Sequence, residues 1–249
     1  MTNKILLLFV FTIIIFCLPT CNTQVQKTGE AKNITSEKFV QLMELAEQGD
    51  AEAQCSIGIC YYSGNGIEQN TPEAVKWLEK AANQGIDKAQ YNLGVLYTNG
   101  IGVEQDFEIA AKWYVKAAEQ GYAPAQHNLG HCYFYGQGVK ANHTEGLKWY
   151  SRAFKWTKEE AEKGDACAQY NLGVYYSLGA GVEKDHSEAY KWCKRSAEQG
   201  YSPAQYDLGN FYRNGQIVKQ DSTEAINWFK KAAEQGYTPA VEALKTIEE

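Results

Sequence analysis

Apolar residues recur along this chain in two rhythms, one local and one long. Within AEAQCSIGICYYSG, residues 51–64, Ala53, Ile57 and Tyr61 fall at i, i+4 and i+8, which is the stripe of an amphipathic helix. Within TPEAVKWLEKAAN, residues 71–83, Ala74, Trp77, Leu78 and Ala81 make a second stripe at i, i+3, i+4 and i+7. The G-x-G of SGNGI between them can adopt left-handed backbone and end the first helix in a tight turn. The pattern therefore predicts a helical hairpin, helix A followed by helix B.

The long rhythm repeats that hairpin. The glycine after helix B stands at Gly49, Gly85, Gly121, Gly164, Gly200 and Gly236, at intervals of 36, 36, 43, 36 and 36 residues. Trp77, Trp113, Trp149, Trp192 and Trp228 keep the same beat. A fixed period of this size predicts an all-α solenoid of stacked helix-turn-helix repeats. The whole units are 51–86, 87–122, 123–165, 166–201 and 202–237, with capping half-repeats at both ends of 36–249. One hairpin of this length exposes too much apolar face to fold alone, so the joint AAEQGYAPAQHNLG, residues 117–130, has to recur for each unit to cover the next.

Local chemistry supports the boundaries. Asn70, Asn142, Asp185 and Asp221 can cap helix B, and Glu73, Glu145, Glu188 and Glu224 stand three residues on, the spacing of a capping box. Gly58, Gly94, Gly130, Gly173 and Gly209 lie inside helix A. A helical glycine costs about 0.5 to 1 kcal/mol relative to alanine, so its return in every unit predicts a close backbone crossing. The 43-residue interval comes from SRAFKWTKEEAEKG, in which Lys148-Trp149 is echoed by Lys155-Trp156. Seven residues turn a helix by about 700°, close to two full turns, so helix B of the third unit should grow by roughly 10 Å with its inward face intact.

Composition changes the picture mainly at the N-terminus. Lys4 precedes an apolar run from Ile5 to Leu18, too short to span a bilayer comfortably, so residues 1–21 read as a secretory signal peptide and 22–35 as a disordered linker. Leu18-Pro19-Thr20-Cys21 resembles a bacterial lipobox with Cys21 as lipidation site, although Thr20 departs from the usual small residue. Plain cleavage without lipid is the other reading. The protein is expected to be exported: periplasmic or a membrane-anchored lipoprotein, alternatively secreted. A net charge of -6 with no Lys/Arg block leaves no footprint for nucleic acid.

Beyond Cys21 the cysteines are Cys55, Cys60, Cys132, Cys167 and Cys193. Their odd number prevents complete internal pairing, and Cys55 and Cys60 sit about 140° apart on a helix. A bridge from Cys167 to Cys193 is the one pairing left open.

The spelling A-x-A-Q-x-x-L-G-x-x-Y-x-x-G-x-G-V, followed by E-A-x-K-W-Y-x-K-A-A-E-Q-G, resembles the SEL-one-like repeat (SLR) family, a branch of the tetratricopeptide-like solenoids. The resemblance covers residues 36–249. It implies a right-handed α/α superhelix whose A helices line a concave face, and a protein that is an adaptor for a protein or peptide ligand. A cysteine-rich secreted branch of the family is linked to β-lactam or peptidoglycan-related binding and hydrolysis, but this chain lacks the regular Cys pair of each of that branch's units.

With the core stripe at unit positions 3, 7 and 11, positions 2, 5, 9, 12 and 13 of helix A fall on the opposite side of the wheel. Position 5 reads Cys55, Tyr91, His127, Tyr170 and Tyr206, and packing between repeats is the favoured explanation for its tyrosines. The third unit departs most, with HNLGHCYFYGQG. His127, His131, Phe134 and Tyr135 are therefore the expected partner-binding hot spot, supplemented by Leu178 and Arg213. His127 and His131 could chelate a metal with Cys167 as third ligand, but histidines on the surface of a groove are the favoured reading. No S-x-x-K, G-x-S-x-G or phosphate-binding loop is present, so no catalytic residue, metal or cofactor is expected and the protein is read as a non-enzyme.

Overall fold

The computed structural model describes residues 34–215 and 217–248. The expected signal peptide, most of the expected linker and the expected lipidation site at Cys21 lie outside the described residues. Among those residues there are twelve α-helices and no strand. The A helices are α2 (Ala51–Ser63), α4 (Asp87–Asn99), α6 (Ala123–Tyr135), α8 (Ala166–Leu178) and α10 (Ser202–Asn214). The B helices are α3 (Thr71–Asn83), α5 (Phe107–Glu119), α7 (His143–Glu162), α9 (His186–Glu198) and α11 (Ser222–Glu234), with α1 (Ser36–Glu47) before them and α12 (Thr238–Glu248) after.

The chain forms two compact units, divided between Trp156 and Thr157 inside α7. In the first, each helix from α1 to α6 packs on the next; in the second, α8 to α12 do the same. Successive hairpins covering one another make an all-α solenoid, as the period predicts. The lengthened α7 has 20 residues where α3 has 13.

The expected backbone crossing is present at Gly58, Gly130 and Gly173, where a carbonyl of helix B lies close, whereas at Gly94 and Gly209 the nearest atoms belong to the Tyr114 and Phe229 rings of helix B. A Cβ on Gly173 would lie 3.0 Å from the Ala189 carbonyl oxygen of α9, and one on Gly130 would lie 2.6 Å from the Tyr150 ring of α7. Helix B of the same unit is the element that crosses there, and a larger residue would push it away.

The capping prediction is half right. Asn70 accepts from the Glu73 amide at 3.2 Å, Asn142 from Glu145 at 3.1 Å, Asp185 from Glu188 at 3.0 Å and Asp221 from Glu224 at 3.0 Å. The reciprocal bond of a capping box is replaced. The cap amides of Asn70, Asn142 and Asp185 donate to the carbonyls of Tyr61, Tyr133 and Tyr176, at 2.8, 2.7 and 3.0 Å. With that donor used, Glu73, Glu145 and Glu188 turn to Lys76, Lys148 and Lys191 at 2.6, 3.0 and 2.6 Å. These tyrosine carbonyls sit in the open last turn of helix A, where acceptors lack helical partners.

Candidate interaction surface

The joint explains the most strictly repeated letters. Gln54, Gln90, Gln169 and Gln205 of the A helices donate back to the carbonyls of Ala46, Ala82, Ala161 and Ala197 at 3.0, 3.1, 3.2 and 3.3 Å. Each then accepts from the glutamine that ends its own helix B: Gln84, Gln120, Gln199 and Gln235, at 2.8, 2.8, 2.7 and 2.8 Å. This ladder satisfies buried amides and carbonyls along the stack. Sequence reasoning missed it, although the A-Q and E-Q-G letters are its signal. In the third unit Gln126 still donates to Ala118 at 3.2 Å, but Lys163 stands where the second glutamine belongs and pairs with Glu160 at 2.7 Å.

Position 5 is interior, as favoured for its tyrosines. Tyr91 packs on Tyr122 at 5.3 Å between ring centroids, Tyr170 on Tyr201 at 5.5 Å and Tyr206 on Tyr237 at 5.6 Å. Helix A is enclosed on most sides, since its own helix B and the neighbouring repeats cover it. Partly exposed side chains on its last turn remain, among them Thr98, Tyr135, Leu178 and Arg213.

That enclosure corrects the surface reading of two residues. His127 is only 6% exposed, its ring 5.3 Å from Tyr150, and Phe134 is 5% exposed, stacked on His143 at 4.7 Å. Both are packed inside the third unit because position 5 and the flank of position 12 face helix B there. His131 and Tyr135 are partly exposed, their rings 4.4 Å apart. Leu178 on α8 and Arg213 on α10 are also partly exposed, and the Arg213 guanidinium lies 5.5 Å from the Phe229 ring.

Burial, reinforced by the neighbouring His131, pushes the His127 imidazole down to about 3. Burial pushes His131 down to about 4 against a hydrogen bond with Gln137. Both rings are therefore neutral near neutral pH. His131 also lines a cavity of about 10 Å³ with Thr98, Tyr114, Asn128 and Gln137, room for about one water. Among the described residues no group of three or more His, Cys, Asp or Glu gathers as metal ligands.

Cys55, Cys60, Cys132 and Cys193 are free and buried, which excludes the Cys167–Cys193 bridge. The Cys193 thiol instead donates to the Ala204 carbonyl at 3.4 Å. Burial pushes the thiols of Cys55 and Cys132 up to about 12, which leaves them unreactive. The β-lactam alternative, which rests on regular Cys pairs, gains no support from this arrangement.

Stacked helical hairpins joined by a side-chain ladder, with variable residues on the free last turn, define an α/α repeat scaffold. The model of the Sel1 repeat family matches residues 51–86, 87–122, 123–155, 168–201 and 202–237, so the chain belongs to that family. Sel1 repeats generally serve protein–protein interaction. The match lapses across 156–167, where α7 is lengthened.

A Sel1 repeat protein from Oxalobacter formigenes is 36% identical over 86% of this chain and 82% of that one, with a TM-score of 0.62. A protective antigen of uropathogenic Escherichia coli that displays an SLR fold is 30% identical over 84% of this chain and 58% of its own, with a TM-score of 0.40. A sel1 repeat protein from Klebsiella pneumoniae is 22% identical over 85% and 99%, with a TM-score of 0.49. No curated protein matches the chain.

Proposed function

We propose that this chain is an exported scaffold that holds a protein or peptide against the last turns of its A helices, on the concave face that the family's superhelix implies. One observation carries the reading: packing and the glutamine ladder occupy nearly every repeated side chain, whereas positions 12 and 13 change from unit to unit and stay at least partly exposed except at Phe134, and position 9 opens to solvent from the third unit on, at His131, Val174 and Asn210. His131, Tyr135, Leu178 and Arg213 are the contact residues. His127 and Phe134 act from beneath, holding His131 and Tyr135 in position through the third unit's aromatic cluster. Aromatic and arginine side chains backed by a rigid core suit such a hot spot.

Export and a lipid on Cys21 tether the scaffold to a membrane in this reading; plain cleavage makes it a free periplasmic or secreted binder. The test is cross-linking of the processed chain in its host, followed by mass spectrometry, beside a His131→Ala/Tyr135→Ala double variant. The scaffold reading expects a discrete partner whose capture falls at least about tenfold in the variant, a change of about 1.4 kcal/mol. Capture that is equal in both removes the assigned contacts. Palmitate labelling that persists in Cys21→Ala removes the tether.

A further inference from the structure

Position 12 of helix A carries Tyr62 in the first unit and Phe134 in the third, but the small Thr98 in the second. Room is left there. It is the cavity of about 10 Å³ between α4, α5 and α6, walled by Thr98, Tyr114, Asn128, His131 and Gln137 among others. Asn128 is only 1% exposed, and neither its Oδ1 nor its Nδ2 meets a hydrogen-bond partner. The Tyr91 and Tyr114 hydroxyls lie near enough to feel this amide, yet neither is placed to bond with it. Thr98, His131 and Gln137 are partly exposed, so the cavity lies one side chain beneath the surface.

The protons present fix what the cavity offers a guest. Thr98 donates its single hydroxyl proton to the Gly94 carbonyl at 2.8 Å, so in its 3.0 Å contact with Tyr114 the tyrosine is the donor. The Tyr114 oxygen is left with lone pairs only. Asn128 adds an acceptor in Oδ1 and two protons on Nδ2. A guest must therefore both donate and accept, and the space holds about one small molecule of a single heavy atom. Left bare, the buried amide would keep its whole desolvation penalty.

We propose that this cavity is the site of one ordered water molecule, bonded to the Asn128 amide and donating to the Tyr114 oxygen. Water is the guest that the inventory selects, since an ammonium only donates, a halide only accepts and a hydrocarbon does neither. The bridge joins α6 to α5 and, through the Tyr114–Thr98 bond, to α4. It ties the second unit to the third beside His131, which Gln137 hydrogen-bonds from its other neighbours. The inference concerns these two units alone and does not depend on what the scaffold binds.

The test joins a crystal structure of the full chain, at a resolution that shows ordered waters, to oxygen-17 relaxation dispersion in solution, which counts waters held longer than the molecule tumbles. The wild type should show one density peak within about 3.2 Å of both the Asn128 amide and the Tyr114 oxygen. Thr98→Leu brings to this joint the bulk that Tyr62 and Phe134 give its neighbours, and Asn128→Leu removes the amide. In each variant the dispersion amplitude should fall by one water. A dry cavity in the wild type, a direct Asn128–Tyr114 hydrogen bond closing it, or equal amplitudes in wild type and Thr98→Leu overturns the proposal. If Asn128→Leu fails to fold, the wild-type density and Thr98→Leu decide.

Discussion

The fifth unit and the third solve the same joint differently. In the fifth, Gln205 and Gln235 form the complete ladder and Tyr206 stacks on Tyr237. The joint leading into the fifth unit has Tyr201 at the N-cap of α10, which makes no side-chain cap bond. In the third, Lys163 interrupts the ladder and His127 replaces the tyrosine of position 5, while the joint that follows it has Asp165, which caps α8 by accepting from Ala168 at 2.7 Å. Cap and aromatic stack are alternatives at one site: Asp50 and Asp165 cap, whereas Tyr122 and Tyr201 stack without capping. The third unit thus gives up repeat-to-repeat chemistry where its helix B is lengthened. Its free last turn gains His131 and Tyr135 in return.

Five substitutions break or sharpen this contrast, each read by urea denaturation. Leu208→Ala empties a fully buried position of the fifth unit and should cost about 2 to 5 kcal/mol. Gln205→Leu leaves the Ala197 carbonyl unpaired and the Gln235 amide with only the Lys231 carbonyl at 3.3 Å, a loss of about 1 to 3 kcal/mol. Gln126→Leu deprives only the Ala118 carbonyl and should cost less; equal losses would show that the ladder is not what separates the two units.

Asp207→Asn should work in the opposite direction. Burial raises the native carboxyl to about 6, against hydrogen bonds from Tyr170 and Asn210, so the folded chain holds its proton more tightly than the unfolded chain. Stability is therefore present at pH 4, declines as pH rises to about 6, and stays reduced above it. The variant should gain on the order of 1 to 3 kcal/mol at pH 8 and almost nothing at pH 4. Asp165→Ala, which removes only a cap, should cost about 1 kcal/mol and leave the fifth unit untouched.

The period, the two helices of each unit, the glycine crossings and the long α7 were all legible in the letters. Each follows from interactions within a helix or between a residue and its equivalents one repeat away, and such interactions leave a spacing. The site was legible only in outline. Departures from the repeat pointed to the third unit and to Arg213, but a helical wheel assigns one buried stripe, and His127 and Phe134 lie off that stripe and are buried all the same. Helix A is covered from several directions at once, so no single period records which of its faces is free. Tertiary contacts alone decided that the cap amides go to the tyrosine carbonyls and that Asp207 has neutral donors but no cation. Those outcomes depend on which groups neighbouring helices bring within about 3 Å, a distance that residue order does not encode.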